Sequence, residues 1–174
     1  MNVKLIIGLG NPGKEYEKTY HNVGILFTDY FKKCQVSGVK YQVLKSDVFM
    51  NQSGNFVKKT LKKYRIKPEE LLIVHDDSDI ELGKYKISFG RGSAGHNGVQ
   101  SIIDSLGTKN FWRLRIGIGK VSSIKCQVSR MRAGLPAKAL RAKAGEFVLK
   151  KISKDNLKIF EKVFQEIKID NEKN

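Results

Sequence analysis

VKLIIGLGNPGKEYEKTYHNVG, residues Val3 to Gly24, is the stretch on which the reading of this chain turns. Its apolar run Leu5-Ile6-Ile7 reads as a short buried strand. The segment Gly8-Leu9-Gly10-Asn11-Pro12-Gly13 then holds too many turn formers to continue a strand or to begin a helix. A polar loop carries Tyr16 and delivers His21 and Asn22 just ahead of the next apolar periodicity. The order strand, glycine loop, histidine, helix sets an ionisable imidazole at the mouth of a sheet.

Gly8, Gly10 and Gly13 also spell the dinucleotide-binding pattern G-x-G-x-x-G. That motif needs a helix opening inside the loop, so that its backbone N–H groups meet a pyrophosphate. Pro12 removes one of those donors and pushes Asn11 away from helical backbone angles. KEYEKTYHN, which follows, has no apolar stripe to pack a helix on a sheet, and no strand ends in an acid where a ribose would need one. The glycines therefore serve a turn, and a nucleotide cofactor is not expected.

Working outward, Val23, Phe27, Tyr30, Phe31 and Cys34 recur at helical spacing and predict a helix over 22–34, with Cys34 a buried thiol on its apolar face. Lys40 to Leu44 reads as a small strand. A second helix carries Phe56, Val57, Leu61 and Tyr64 on one side, with Ser53 as its N-cap. Leu71-Leu72-Ile73-Val74 is the clearest interior strand and closes in His75-Asp76-Asp77, while Lys84 to Phe89 alternates like a half-exposed strand. The loop from Gly90 to Gly98 leads into a helix with Val99, Ile102, Ile103 and Leu106. Phe111 to Ile118 alternates again, and a last helix follows Ser153. Strands alternating with helices predict a single α/β domain spanning 1–174, with a twisted mixed sheet flanked by helices.

At 174 residues and 40% hydrophobic content the chain is long enough to bury a core. Its net charge of +16 points to a polyanionic partner, nucleic acid first. Lys120, Lys125, Arg130, Arg132, Lys138, Arg141 and Lys143 occur before the next acid, Glu146, so 120–145 reads as a basic insert or lid. Lys84, Lys86, Arg91, Arg113 and Arg115 lie on or beside the alternating strands, a placement suited to phosphate contacts. The cysteines Cys34 and Cys126 have no metal spacing. The N-terminal apolar run is too short for a signal peptide, and no stretch approaches a membrane span. A cytoplasmic protein without a membrane partner is expected.

Three chemically useful points follow strands: His21 after the first, Asp76 after 71–75, and Asn97 after 84–89. Ligands collect at the carboxyl edge of parallel strands, so His21 and Asp76 meet if their strands run parallel. A carboxylate behind an imidazole fixes its tautomer and stabilises the imidazolium, making a general base. Neither Ser nor Cys sits in a nucleophile elbow, so such a base would act on water directly. Asn11, Asn51 and Asn97 supply uncharged amides that suit a peptide backbone. Each also has a plainer role, Asn11 in a turn, Asn51 before a helix and Asn97 as a cap. A metal site from His21, His75 and His96 with Asp76 lacks any ligand spacing. Which of Asp76, Asp77 and Asp79 reaches His21 stays open on the residues alone.

GLGNPGKEYEKTYHNVG, FMNQSG, HDDSD, GSAGHNG and FWRLRIGIG, in this order over residues 3–119, together closely resemble bacterial-type peptidyl-tRNA hydrolase. The resemblance implies hydrolysis of the ester joining a peptide to the 3′ ribose of tRNA, by a monomer that uses neither metal nor cofactor. It implies His21 as the base that accepts a proton from water, held by Asp76, and Asn11 as the sensor of a blocked amino group. It further implies substrate binding by Asn51 and Asn97 beside the ester, a cleft lined by Tyr16, Phe49 and Met50, and phosphate contacts from Lys86 and Arg115. The chain departs from the family pattern in a shorter stretch between Cys34 and Phe49, in having only Gly95 before the histidine of the glycine loop, and in a longer, more basic 120–145. The first departure bears on how Asn51 is supported. A non-catalytic RNA-binding protein on the same scaffold is the alternative, and the set His21, Asp76 and three asparagines weighs against it.

Overall fold

The computed structural model describes residues 1–34, 41–119 and 145–169; the basic segment 120–144, most of the expected lid, lies outside the described residues. A five-stranded mixed sheet forms the centre, with strands β1 (Leu5–Gly8), β2 (Gln42–Lys45), β3 (Leu71–Glu81), β4 (Tyr85–Phe89) and β5 (Trp112–Gly119) in the order β2-β1-β3-β5-β4. β4 alone runs antiparallel to its neighbour; the other pairings are parallel. Helices α1 (Val23–Cys34), α2 (Ser53–Tyr64), α3 (Asn97–Leu106) and α4 (Lys154–Glu166) flank the sheet.

The pleat divides the core. Ile6, Leu72, Val74, Leu114 and Ile116 face one side and meet Val23 and Phe27 of α1 and Phe160, Val163 and Phe164 of α4. Leu5, Ile7, Leu71, Ile73 and Phe111 face the other and meet Val57 and Leu61 of α2 and Val99 and Ile102 of α3. Fully burying each such side chain contributes about 1.5–3 kcal/mol, so the two apolar layers fix which side of every strand faces which helix pair.

Two glycines let helices approach closely. A Cβ on Gly24 would strike the carbonyl of Val74, so the first turn of α1 lies directly on the ends of β1 and β3. A Cβ on Gly54 would strike the carbonyl of Ser101, and the Gly54 N–H instead donates to Ser101 Oγ at 3.0 Å, clamping α2 to α3. Both contacts stand near the carboxyl edge of the parallel strands. Residues 145–152 return over that edge, where Phe147 stacks on Tyr20 at 4.8 Å and Lys151 Nζ donates to the Glu17 carbonyl at 2.7 Å.

Four sequence expectations need correction. β3 does not end at His75 but continues to Glu81, because its parallel pairing with β5 carries on through Asp76↔Ile116 and Asp77↔Gly117 before the register shifts. Ser53 is not the N-cap of α2. A 3-10 turn over Met50–Gln52 feeds straight into the helix, Gln52 occupies the cap position, and Ser53 Oγ donates back to the Met50 carbonyl at 2.8 Å. Asn97 does not cap α3: His96 does, its Nδ1 accepting from the Val99 N–H at 3.3 Å. Cys34 is exposed rather than buried, since the packed stripe of α1 closes at the Phe27–Phe31 stack and Lys32, Lys33 and Cys34 beyond it are all exposed. The last helix follows Ser153 as expected, and Ser153 caps it, accepting from the Asn156 N–H at 3.2 Å.

Candidate active site

β1 and β3 are adjacent and parallel, Leu5↔Leu71 through Gly8↔Val74. Chain leaving β1 and the far end of β3 therefore emerge at the same edge. The loop from Leu9 returns through a 3-10 turn, Tyr20–Asn22, which presents His21 there. Asn22 fastens the loop: its Oδ1 accepts from the Asn11 N–H at 2.8 Å and its Nδ2 donates to the Asn11 carbonyl at 2.9 Å. The glycine pattern serves this return and not a helix N-terminus, since α1 starts only at Val23.

His21 Nδ1 lies 2.8 Å from Asp76 Oδ1. His96 Nε2 approaches the same oxygen at 3.0 Å. A carboxylate only accepts, so both rings donate to it. The tautomer of His96 agrees, because its Nδ1 is already accepting from Val99. In the neutral imidazole of His21 this hydrogen bond selects the tautomer whose Nε2 carries the free lone pair. Burial alone pushes the Asp76 carboxyl up; electrostatic attraction to His96 and His21 and their hydrogen bonds more than reverse this and hold it well below the usual carboxylate range. Asp76 is 3% exposed, so hydrogen bonds from the two imidazoles, rather than solvent, hold its charge. Of the other carboxylates left open by sequence, Asp77 points to the opposite face of β3, where its Oδ2 accepts from Arg115 Nε at 2.7 Å and its Oδ1 from the Asp79 N–H at 2.9 Å.

Of the metal grouping weighed from sequence, three members converge: the nearest ligand atoms of His21, Asp76 and His96 all lie within 4.8 Å of one another. His75 stands apart. Its Nδ1 donates to the Asp76 carbonyl at 2.6 Å, its ring meets His96 edge-on at 4.7 Å, and burial pushes its pKa well down, so it stays neutral.

A cleft of about 420 Å³ opens over the His–Asp–His group, lined by His21, Asp76, Ser93, His96, Asn97 and Val148 among others. The N-terminal end of α3, which favours negative charge, faces into it. Asn97 lines this cleft, whereas Asn11, Tyr16, Phe49, Met50 and Asn51 do not. Asn11 Oδ1 accepts from the Met50 N–H at 2.8 Å, which ties the glycine loop to the start of α2. Asn11 thus has its amide nitrogen left to offer. Met50 is buried, while Phe49 is 47% exposed and meets Tyr16 edge-on at 6.1 Å. Asn51 is exposed, its carbonyl accepting from Ser101 Oγ at 2.8 Å, so the close contact at Gly54 supports it.

A sequence profile described as peptidyl-tRNA hydrolase matches residues 5–172. The chain belongs to the peptidyl-tRNA hydrolase family. It is 42% identical over 137 residues to the peptidyl-tRNA hydrolase of Aquifex aeolicus, covering 69% of this chain and 71% of that one. It is 43% identical over 156 residues to that of Ruthia magnifica, covering 79% and 81%. The crystal structure of peptidyl-tRNA hydrolase from Acinetobacter baumannii superposes with a TM-score of 0.76 at 29% identity, over 94% of this chain and 84% of that one.

Against this peptidyl-tRNA hydrolase fold, the strand cations divide. Lys86 is exposed on the edge strand β4, directly across from Arg115 on β5. Arg115 is engaged by Asp77, so it reaches solvent as half of an ion pair. Sequence reasoning gave His96 only a metal role and Asn22 none, and it placed Arg113 among the phosphate-contacting cations, which its burial rules out. Arg113 is 2% exposed and its Nη1 donates to the Gly92 carbonyl at 2.9 Å, holding the glycine loop on the sheet. Alternation places Arg113 on the same face as Ile73, and a cation at such an apolar register was the available signal.

Proposed function

We propose that the protein hydrolyses the ester between a peptide and the 3′ ribose of tRNA, with His21 as general base. The observation that carries this is the 2.8 Å contact of His21 Nδ1 with a buried, ionised Asp76 in the lining of the cleft, which leaves Nε2 as the basic atom of the neutral ring. Water attacks the ester carbonyl as His21 Nε2 takes its proton, and Asp76 stabilises the imidazolium. The tetrahedral oxyanion collects on amide donors from Asn51 or Asn97 and on the α3 N-terminal end. Collapse breaks the bond to the 3′ oxygen, which leaves with the proton returned by His21. General-base assistance of this kind contributes roughly 10²–10⁴-fold, and an ester needs less help than an amide.

Asn11 reads the blocked amino group. Its Oδ1 is committed to Met50, so Nδ2 donates, and a peptide offers it a carbonyl. A free α-ammonium carries only donors and would confront another donor. Tyr16, Phe49 and Met50 form the wall against which the peptide lies. Lys86 with the Asp77-braced Arg115 contacts phosphate near the ester. In this reading the enzyme acts as a monomer in the cytoplasm, where its substrate arises.

The test is turnover of an N-acyl-aminoacyl-tRNA beside the same tRNA carrying the unblocked amino acid. Release of the acylated amino acid with sparing of the unblocked ester is expected. Tight tRNA binding with no release from either would favour the RNA-binding alternative.

A further inference from the structure

Helix α2 carries a feature that the cleft does not use. Lys58, Lys59, Lys62 and Lys63 are all exposed, and Arg65 and Lys67 continue the run beyond its end. Between Asp47 and Glu69 the sequence contains no acid. Lys58 with Lys62, and Lys59 with Lys63, form like-charge pairs four residues apart, each of which disfavours the helix by itself. Among the described residues, no carboxylate forms an ion pair with any of the four. Attraction to the negative end of the helix accounts for Lys62 and Lys63 in the last turn but not for Lys58 and Lys59 a turn earlier. By contrast α4 interleaves Asp155, Glu161 and Glu166 with its lysines, as an ordinary solvated helix does.

The position of α2 gives this ridge a direction. β2 and β3 both run parallel to β1, so the helix joining them starts at the edge that holds His21 and runs back toward the opposite edge. Its start is fixed to the glycine loop through Met50 and Asn11, and to α3, whose first residues line the cleft, through the Gly54–Ser101 contact. The lysines therefore begin beside the site and lead away from it. A cleft of about 420 Å³ takes the acyl end of a substrate and little more. The rest of a tRNA must lie on the outer surface.

We infer that the exposed lysine ridge of α2 docks the phosphate backbone of the tRNA body while the cleft holds the acyl end. The inference rests on the peptidyl-tRNA reading above. It assigns the ridge to affinity and not to chemistry, so its removal should spare substrates too short to reach it.

The test replaces all four residues together, Lys58→Gln, Lys59→Gln, Lys62→Gln and Lys63→Gln. Glutamine keeps helix propensity close to that of lysine, and a milder Lys58→Gln, Lys59→Gln variant serves if the full set melts early. Binding of deacylated tRNA is titrated across salt, and turnover is compared on full peptidyl-tRNA and on a peptidyl ester of the terminal trinucleotide. Losing two or so phosphate contacts should lower the log–log salt slope by about two and weaken binding about tenfold. KM for the full substrate should rise in step, with turnover of the trinucleotide ester unchanged. Unchanged tRNA affinity and slope would overturn the inference, as would an equal loss on both substrates. The binding titration needs no turnover, so inactivity of the wild-type protein on both esters would count against the hydrolase reading alone.

Discussion

Fifty-five residues of sequence separate His21 from Asp76, yet Nδ1 of the one stands 2.8 Å from Oδ1 of the other. Adjacent parallel strands make this possible, and alternation along β3 decides which acid is used: Asp76 turns to His21, Asp77 to Arg115. Replacing Asp76 by Asn keeps the shape and removes the charge. The imidazolium then loses its stabilising anion, so kcat should fall by on the order of 10²-fold or more. The acid limb of the pH–rate profile should move to lower pH, because a base without its carboxylate is weaker. A profile that keeps its position would show that Asp76 does not act on the base.

His96 should matter for two separable reasons. Its Nε2–H steadies Asp76 and its Nδ1 caps α3. His96→Ala is expected to cost about 1 kcal/mol of stability through the lost cap, read by thermal melting. It should also lower kcat about tenfold, the order of one hydrogen bond to a charged group. His96→Asn can restore the cap without the donor to Asp76, so it should recover stability and leave the rate defect. Recovery of both together would reduce His96 to a cap.

Acid should unfold the protein in two stages. His75 is buried and its pKa is pushed well below 6.5, so the unfolded chain takes up a proton there that the folded one refuses. Stability is therefore full above about pH 6.5 and falls below it, by about 1.4 kcal/mol per pH unit for one proton. Asp76 is depressed from 3.8, so its own contribution holds above that value and is lost only as the pH drops further. Denaturant midpoints measured from pH 8 to pH 3 should show both slopes. A flat response between pH 6.5 and 4.5 would mean that His75 titrates normally.

Much of this architecture was legible in the sequence because it rests on periodicity. The spacings of Val23, Phe27 and Phe31, of Val57 and Leu61, and the alternation of Lys84 to Phe89 each report one side of an element meeting an apolar layer. Failures cluster where tertiary contacts override local pattern. Nothing in the sequence around His75-Asp76-Asp77 says that pairing with β5 prolongs the strand there. Ser53 has the side chain of a cap, yet the preceding 3-10 turn claims the cap position for Gln52. His96 was obscured for a similar reason: histidine is an uncommon cap, and its link to Asp76 spans twenty residues. Asn22 is silent in sequence because its partners are backbone atoms of another loop.

The account stands or falls on the imidazole of His21. Single-turnover release of an N-acyl amino acid from tRNA should be compared for the wild-type protein and His21→Ala, with melting temperature and tRNA affinity measured on the same samples. A rate loss of roughly 10²–10⁴-fold, with folding and affinity intact, is the predicted result. Release at the wild-type rate would contradict it.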